Sequence, residues 1–170
     1  MGAQQDLEKQ MDELLVKKAP FQIPENGKKA IVKYSPIIAI VFGVLSLLGA
    51  LSLWNAARRY DDVIDGLNRF GINTELYDYN ALYYISLAAV VVQGVILLAA
   101  YKPLSQQLKK GWDLLLLGTV VSFGFGVLYM FTGPGGVGNL ITSLIGVLIS
   151  LYILAQIRSH YKTTAPKTEK

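Results

Sequence analysis

Cysteine is absent from the 170 residues, so disulfides, thiolate zinc sites, cysteine-ligated iron–sulfur clusters and thiol nucleophiles are excluded. Histidine occurs once, as His160. It stands behind Arg158 and Ser159 with no partner for a metal site or a triad, and reads as a solvated tail residue. Charged side chains are missing from the interiors of four long apolar blocks. Charges at bilayer depth usually mark ion paths, proton relays or substrate partners, so their absence disfavours proton-coupled transport through carboxylates. No paired carboxylates, histidine cluster or activated nucleophile can be assembled either, and the sequence predicts a protein without catalysis, metal or cofactor. Gly133, Gly135 and Gly138 spell G-x-G-x-x-G, but that spacing binds dinucleotides only between a strand and a helix of a βαβ unit. Here it joins two apolar blocks and reads as a flexible turn.

What is present is apolar surface, 52% of residues, gathered into blocks separated by polar segments. That arrangement predicts an all-α, polytopic membrane protein with a bundle of four transmembrane helices and further amphipathic helices at the N-terminus and on the outer side. The net charge of +4 comes from Lys and Arg that flank the blocks rather than form one basic face, which points to membrane topology and away from nucleic acid.

Residues 1–33 are expected to form a cytoplasmic amphipathic helix and linker, 34–158 the transmembrane domain and 159–170 a cytoplasmic polar tail. The first apolar run begins too late for a cleavable signal peptide, and Asp6 stands where a myristoylation signal wants Ser or Thr, so the N-terminus is expected to be retained and unlipidated. Leu7, Met11, Leu14 and Leu15 recur at helical spacing and form a candidate partner surface. Pro20, Pro24, Asn26 and Gly27 would end that helix and make the linker.

Ser35 and Pro36 look like a cap and a first helical residue, which places the first span at Pro36 to about Ala57. Roughly 22 residues at about 1.5 Å each reach about 33 Å, enough for a hydrocarbon core of about 30 Å. The other spans are expected at Ala81–Tyr101, Leu114–Phe131 and Leu140–Ile157, with Asp113 capping the third. Basic residues gather before span one, between spans two and three (Lys102, Lys109, Lys110) and after span four. The first connection is acidic on balance despite Arg58 and Arg59, so both termini are expected in the cytoplasm, in the manner of a bacterial inner (plasma) membrane protein. Trp54, Tyr60, Tyr77, Tyr79, Tyr83, Tyr84 and Tyr129 would make an outer aromatic belt, and Tyr34, Tyr101, Trp112 and Tyr161 an inner one. Tyr60, Val63, Ile64, Leu67 and Phe70 repeat at helical spacing and suggest a helix lying on the outer surface or capping the bundle, with a helical extension of span one as the alternative.

Helices in lipid associate through small residues and interhelical hydrogen bonds. Gly118, Ser122 and Gly126 on span three and Thr142, Gly146 and Ser150 on span four are therefore predicted to meet in the tightest contact of the protein. Ala39, Gly43, Ser46 and Ala50 form a similar stripe on span one, facing the hairpin or a second copy. Gln93 is the most polar side chain at depth. Its amide should point inward to an interhelical partner or, with Ser86, Thr119, Ser122, Thr142 and Ser143, line a polar pathway. The leading expectation is a non-catalytic structural, assembly or interaction component that binds itself or another membrane protein within the lipid bilayer. The alternative is a small oligomeric transporter or channel for a small solute or ion.

Overall fold

The computed structural model describes residues 21–71, 81–132 and 136–162. Leu7, Met11, Leu14 and Leu15, the end of the acidic connection and the last eight residues of the tail lie outside the described residues. The described chain is all-helical and without strands: α1 Glu25–Arg69, α2 Ala81–Ser105, α3 Lys109–Thr132 and α4 Gly136–Ile157, followed by a 3₁₀ turn at Arg158–His160. All four helices are long and apolar enough to cross a membrane. Successive helices pack as antiparallel neighbours, α1 on α2, α2 on α3 and α3 on α4, whereas α1 and α4 touch sparsely.

Several boundaries differ from expectation, and α1 differs most. Its 45 residues extend about 67 Å at about 1.5 Å each. The helix begins at Glu25 rather than Pro36, with Pro24 at the N-cap, its carbonyl accepting from Lys28 N–H at 3.0 Å, and Glu25 in the first turn where the helix dipole favours a carboxylate. Asn26 and Gly27 are thus inside the helix rather than in a linker. Pro36 lies within it and removes the amide hydrogen that would serve the Val32 carbonyl. The Ser35 hydroxyl supplies the replacement, donating to Val32 O at 2.9 Å. Ser35 therefore repairs the helix at Pro36 instead of starting it.

At the other end α1 runs on to Arg69, so of the two expected arrangements for Tyr60–Phe70 the helical extension is the one found, and not a separate outer helix. No proline interrupts the stretch after Pro36, and a change from apolar to charged neighbours alters what surrounds a helix without ending it. Termination comes at Phe70 and Gly71, whose amides bond back to Leu67 and Asn68 carbonyls, with Gly71 at φ 75°.

The third helix begins at Lys109, not Leu114. Asp113 consequently sits one turn inside, where it pairs with Lys109 at 3.2 Å, an i,i+4 ion pair rather than a cap. The fourth begins at Gly136, so Gly138 belongs to a helix and not to a turn; Gly133 and Gly135 are outside the described residues. Between α2 and α3 the chain reverses through a Schellman motif: Leu108 N–H donates to Pro103 O and Gln107 N–H to Leu104 O, both at 2.9 Å, with Gln107 at φ 52°. A Cβ on Gly111 would lie 2.7 Å from the Leu104 backbone nitrogen, so this turn is as tight as it is because residue 111 has no side chain.

Candidate functional site

Both described chain ends lie at the same end of the bundle, and there the helices are knitted together. Trp112, Leu104 and Ile157 are fully buried with Val32, Ala100, Leu116 and Leu154 around them. The Trp112 indole N–H donates to Leu154 O at 2.8 Å, and Arg158 and Lys109 sit over its ring at 5.6 and 5.9 Å. Trp112 is thus core rather than a member of an inner aromatic belt, as is Tyr161, whereas Tyr34 and Tyr101 are exposed. The residues after α4 fasten this end. Lys162 N–H donates to Gln107 O at 2.8 Å and Lys109 N–H to Lys162 O at 2.7 Å, stitching the tail to the α2–α3 turn. The Tyr161 hydroxyl is 3.0 Å from Ser35 Oγ. Since the Ser35 proton serves Val32 O, Tyr161 is the donor in that pair. Burial raises the Tyr161 pKa above its ordinary value of 10.0, and the Ser35 hydroxyl offsets part of that rise. His160, expected to be solvated, is half-buried with Nε2 2.9 Å from Glu25 Oε1. Tyr152 donates through its hydroxyl to Phe21 O, joining α4 to the start of the described chain.

The small-residue contacts fall elsewhere than expected. The most extensive contact is α1 on α2. Within it Gly43 lies close against Gly94: a Cβ on either glycine would lie 3.2 or 3.1 Å from the other's carbonyl oxygen and 2.9 Å from a leucine side chain, Leu98 or Leu47. Ala39, Ala50 and Ala57 are buried along the same helix. Gly118 faces α2: a Cβ there would lie 3.2 Å from Gln93 Nε2. Gly126 does face α4, but meets Ser143 rather than Thr142 or Gly146. Ser122, Thr142 and Gly146 are exposed, with nothing within 4 Å of a Cβ at Gly146, and the Thr142 and Ser150 hydroxyls donate to carbonyls of their own helix, Gly138 O and Gly146 O. The expected Gly118–Ser122–Gly126 face therefore does not close on Thr142–Gly146–Ser150, because the α3–α4 pair is rotated so that one glycine serves α2 and another serves α4. Gly94 escaped the sequence reading because α2 carries no regular four-residue repeat of small residues around it.

Because α1 and α4 touch sparsely, a cleft of about 630 Å³ remains between them, floored by α2 and α3. Gln93, Thr119, Ser46 and Ser150 line it together with an apolar wall that includes Phe42, Leu97 and Ile153. Gln93 Oε1 is buried and has no hydrogen-bond partner among the described residues, so the expected interhelical bond from that oxygen is not formed. Ser86, Thr142 and Ser143 line a different cavity, between α2, α3 and α4. The expected polar lining is thus divided between two cavities, and the exposed Ser122 lines neither of them. Among the described residues no group of three or more His, Asp or Glu converges.

Comparison with known proteins adds no assignment: no family model, curated protein or solved structure matches the chain.

Around Ala57 an aromatic cluster joins α1 to the start of α2. Trp54 and Tyr84 meet edge to face at 6.2 Å, Arg58 covers the Trp54 ring at 5.0 Å, and Tyr83 donates to Leu53 O at 2.6 Å. Tyr60, Ile64 and Leu67 are half-buried, whereas Val63 is 58% and Phe70 85% exposed. Tyr77 and Tyr79, and the side chain of Tyr129, fall outside the described residues.

Proposed function

We propose that the chain is an integral membrane protein that serves as a non-catalytic structural, assembly or interaction component, and that it contacts its partner through the extension of α1 beyond Ala57. The observation that carries this reading is the length of that helix. About 67 Å of helix against a hydrocarbon core of about 30 Å leaves roughly 18 Å past Ala57 outside the span. Exposed Val63 and Phe70 lie on it among Arg58, Arg59, Asp62, Asp65 and Arg69. Charged residues beside exposed apolar ones suit a protein partner or a second copy better than lipid alone. The test is a photo-crosslinking residue placed at Val63 or Phe70 in cells, compared with one at Leu45 on the apolar belt. A discrete adduct from the first two positions is expected; lipid-only adducts at all three would overturn the reading.

Topology is part of the proposal. Lys28, Lys29, Lys33, Lys102, Lys110, Arg158 and Lys162 share the end that carries both described chain ends, which supports a cytoplasmic location for that end. Reporter fusions at the two termini should report the same compartment. A small oligomeric transporter or channel is the second reading, supported by the cleft at Gln93. Reconstituted solute flux that disappears in Gln93→Leu would favour it over the first.

A further inference from the structure

We infer that the cleft between α1 and α4 binds an uncharged amphiphile that enters sideways from the lipid and donates a hydrogen bond to Gln93 Oε1. The inference goes beyond the assembly role and rests only on the membrane reading.

Three features carry it. The cleft opens at the side: α1 and α4 touch sparsely, and Ile38 and Phe42 on the α1 lip are 50% and 58% exposed. Its lining runs from Ile31 to Ser46 along α1, roughly 22 Å at about 1.5 Å per residue, and its volume of about 630 Å³ lies within the range of small-molecule sites, about 300–1,000 Å³. An elongated apolar body fits that shape.

The polar chemistry leans toward acceptors, with the Gln93 amide nitrogen and the Ser46 hydroxyl as the donors in the lining. Four hydroxyl-bearing residues line the cleft, and three have spent their proton on their own helix: Ser35 on Val32 O at 2.9 Å, Thr119 on Leu115 O at 3.0 Å and Ser150 on Gly146 O at 2.9 Å. What they offer the cavity is lone pairs. Gln93 Oε1 adds a buried acceptor without a partner, held over Gly118 where a larger residue would crowd the amide. A buried acceptor left unpaired in an apolar setting is costly, so the complementary ligand brings an O–H or N–H donor. Among the described residues no charged side chain lines the cleft, which leaves nothing there to neutralise a carboxylate or phosphate, and neutral oxygens alone offset little of a cation's desolvation at this depth. The ligand class is therefore a neutral apolar alcohol, phenol or amide.

The test uses the full chain reconstituted in phosphatidylcholine vesicles, with two photoactivatable probes, a diazirine-bearing dodecanol and its methyl ether. The ether keeps the shape and the oxygen but loses the donor. Labelling is mapped by peptide mass spectrometry. The alcohol is expected to label residues 38–46 and 150–157 about fivefold more than the ether, the discrimination one net hydrogen bond gives. Gln93→Met should bring the two probes level, and Leu97→Trp should block both by filling the cleft. If Gln93→Met does not fold, competition on the unaltered chain decides: unlabelled dodecanol should displace the probe at about fivefold lower concentration than unlabelled dodecyl methyl ether. Equal labelling by the two probes, or a preference that survives Gln93→Met, would overturn the inference. So would protection by potassium ions, which would mark a cation site instead. A chain that fails to float with the vesicles overturns the membrane reading, whereas one that floats without preferring the alcohol overturns this inference alone.

Discussion

The end of the bundle that holds both described chain ends and the middle of the α3–α4 hairpin are packed in different ways. At the first, a fully buried tryptophan, a proline-repairing serine and a two-bond stitch from the tail close four helices on one another. Along the second, Ser122, Thr142 and Gly146 are exposed, and Gly126 lies against Ser143. In lipid, helices gain little from hiding apolar surface from one another, so tight packing appears where specific hydrogen bonds and small residues coincide. Where small residues occur without such bonds, the helices need not close.

The sharpest way to break this contrast is to remove its largest side chain. Trp112→Ala discards a 0%-exposed indole and its bond to Leu154 O, and should destabilise the protein by roughly 3–5 kcal/mol in detergent thermal unfolding. A loss below about 1 kcal/mol would mean that this end is no more tightly made than the rest. Next comes a paired comparison of glycines. Gly43→Leu would drive a side chain into Leu98 and the Gly94 carbonyl, at a cost of about 1–3 kcal/mol or more, because even a Cβ there meets atoms at 2.9 and 3.2 Å. Gly146→Leu enters open space and should stay within about 0.5 kcal/mol. Equal losses would restore the α3–α4 face as the principal contact.

A smaller effect probes the latch. Tyr161→Phe removes the donor to Ser35 and should cost about 1 kcal/mol. The same bond gives a pH signature. Because burial raises the folded-state pKa of Tyr161, its contribution is complete below the ordinary value of 10.0 and is lost as pH rises through the higher folded value. The parent chain should therefore lose more stability than Tyr161→Phe above about pH 10. Parallel alkaline curves would remove Tyr161 from the latch.

The comparison also explains what could be read from the sequence. The four span-length blocks, the burial of Ala39, Gly43 and Ala50 and the inward Gln93 follow from local pattern, since hydropathy and helical periodicity are local quantities. The partner of that stripe does not: at Gly43 it meets α2 rather than the α3–α4 hairpin or a second copy. The continuity of α1 was obscured because polarity changes twice along it, at Pro36 and after Ala57, and a polarity change resembles a helix end. Pro36 carried a usable signal: a serine just before a proline can reach the carbonyl the proline leaves unserved. The tail latch carried none. Tyr161 with Ser35 and Lys162 with Gln107 are far apart in sequence, and nothing in either segment alone marks its partner. The rotation that sends Gly118 toward α2 and Gly126 toward α4 is likewise a property of the assembled bundle.

The finest test of the closed end concerns a single backbone angle. Gln107 holds φ 52° at the position of the Schellman turn where glycine is usual, and it does so while its carbonyl accepts the Lys162 amide. The left-handed conformation costs a residue with a Cβ about 1 kcal/mol, so Gln107→Gly should relieve part of that cost. Against it runs the greater freedom that glycine gives the unfolded chain. The net expectation is a gain of about 0.5 kcal/mol, read as a small rise in Tm. A clear loss of stability would show that the Gln107 side chain itself contributes to holding Lys162, and the closed end would then depend on a contact beyond the two backbone bonds of the stitch.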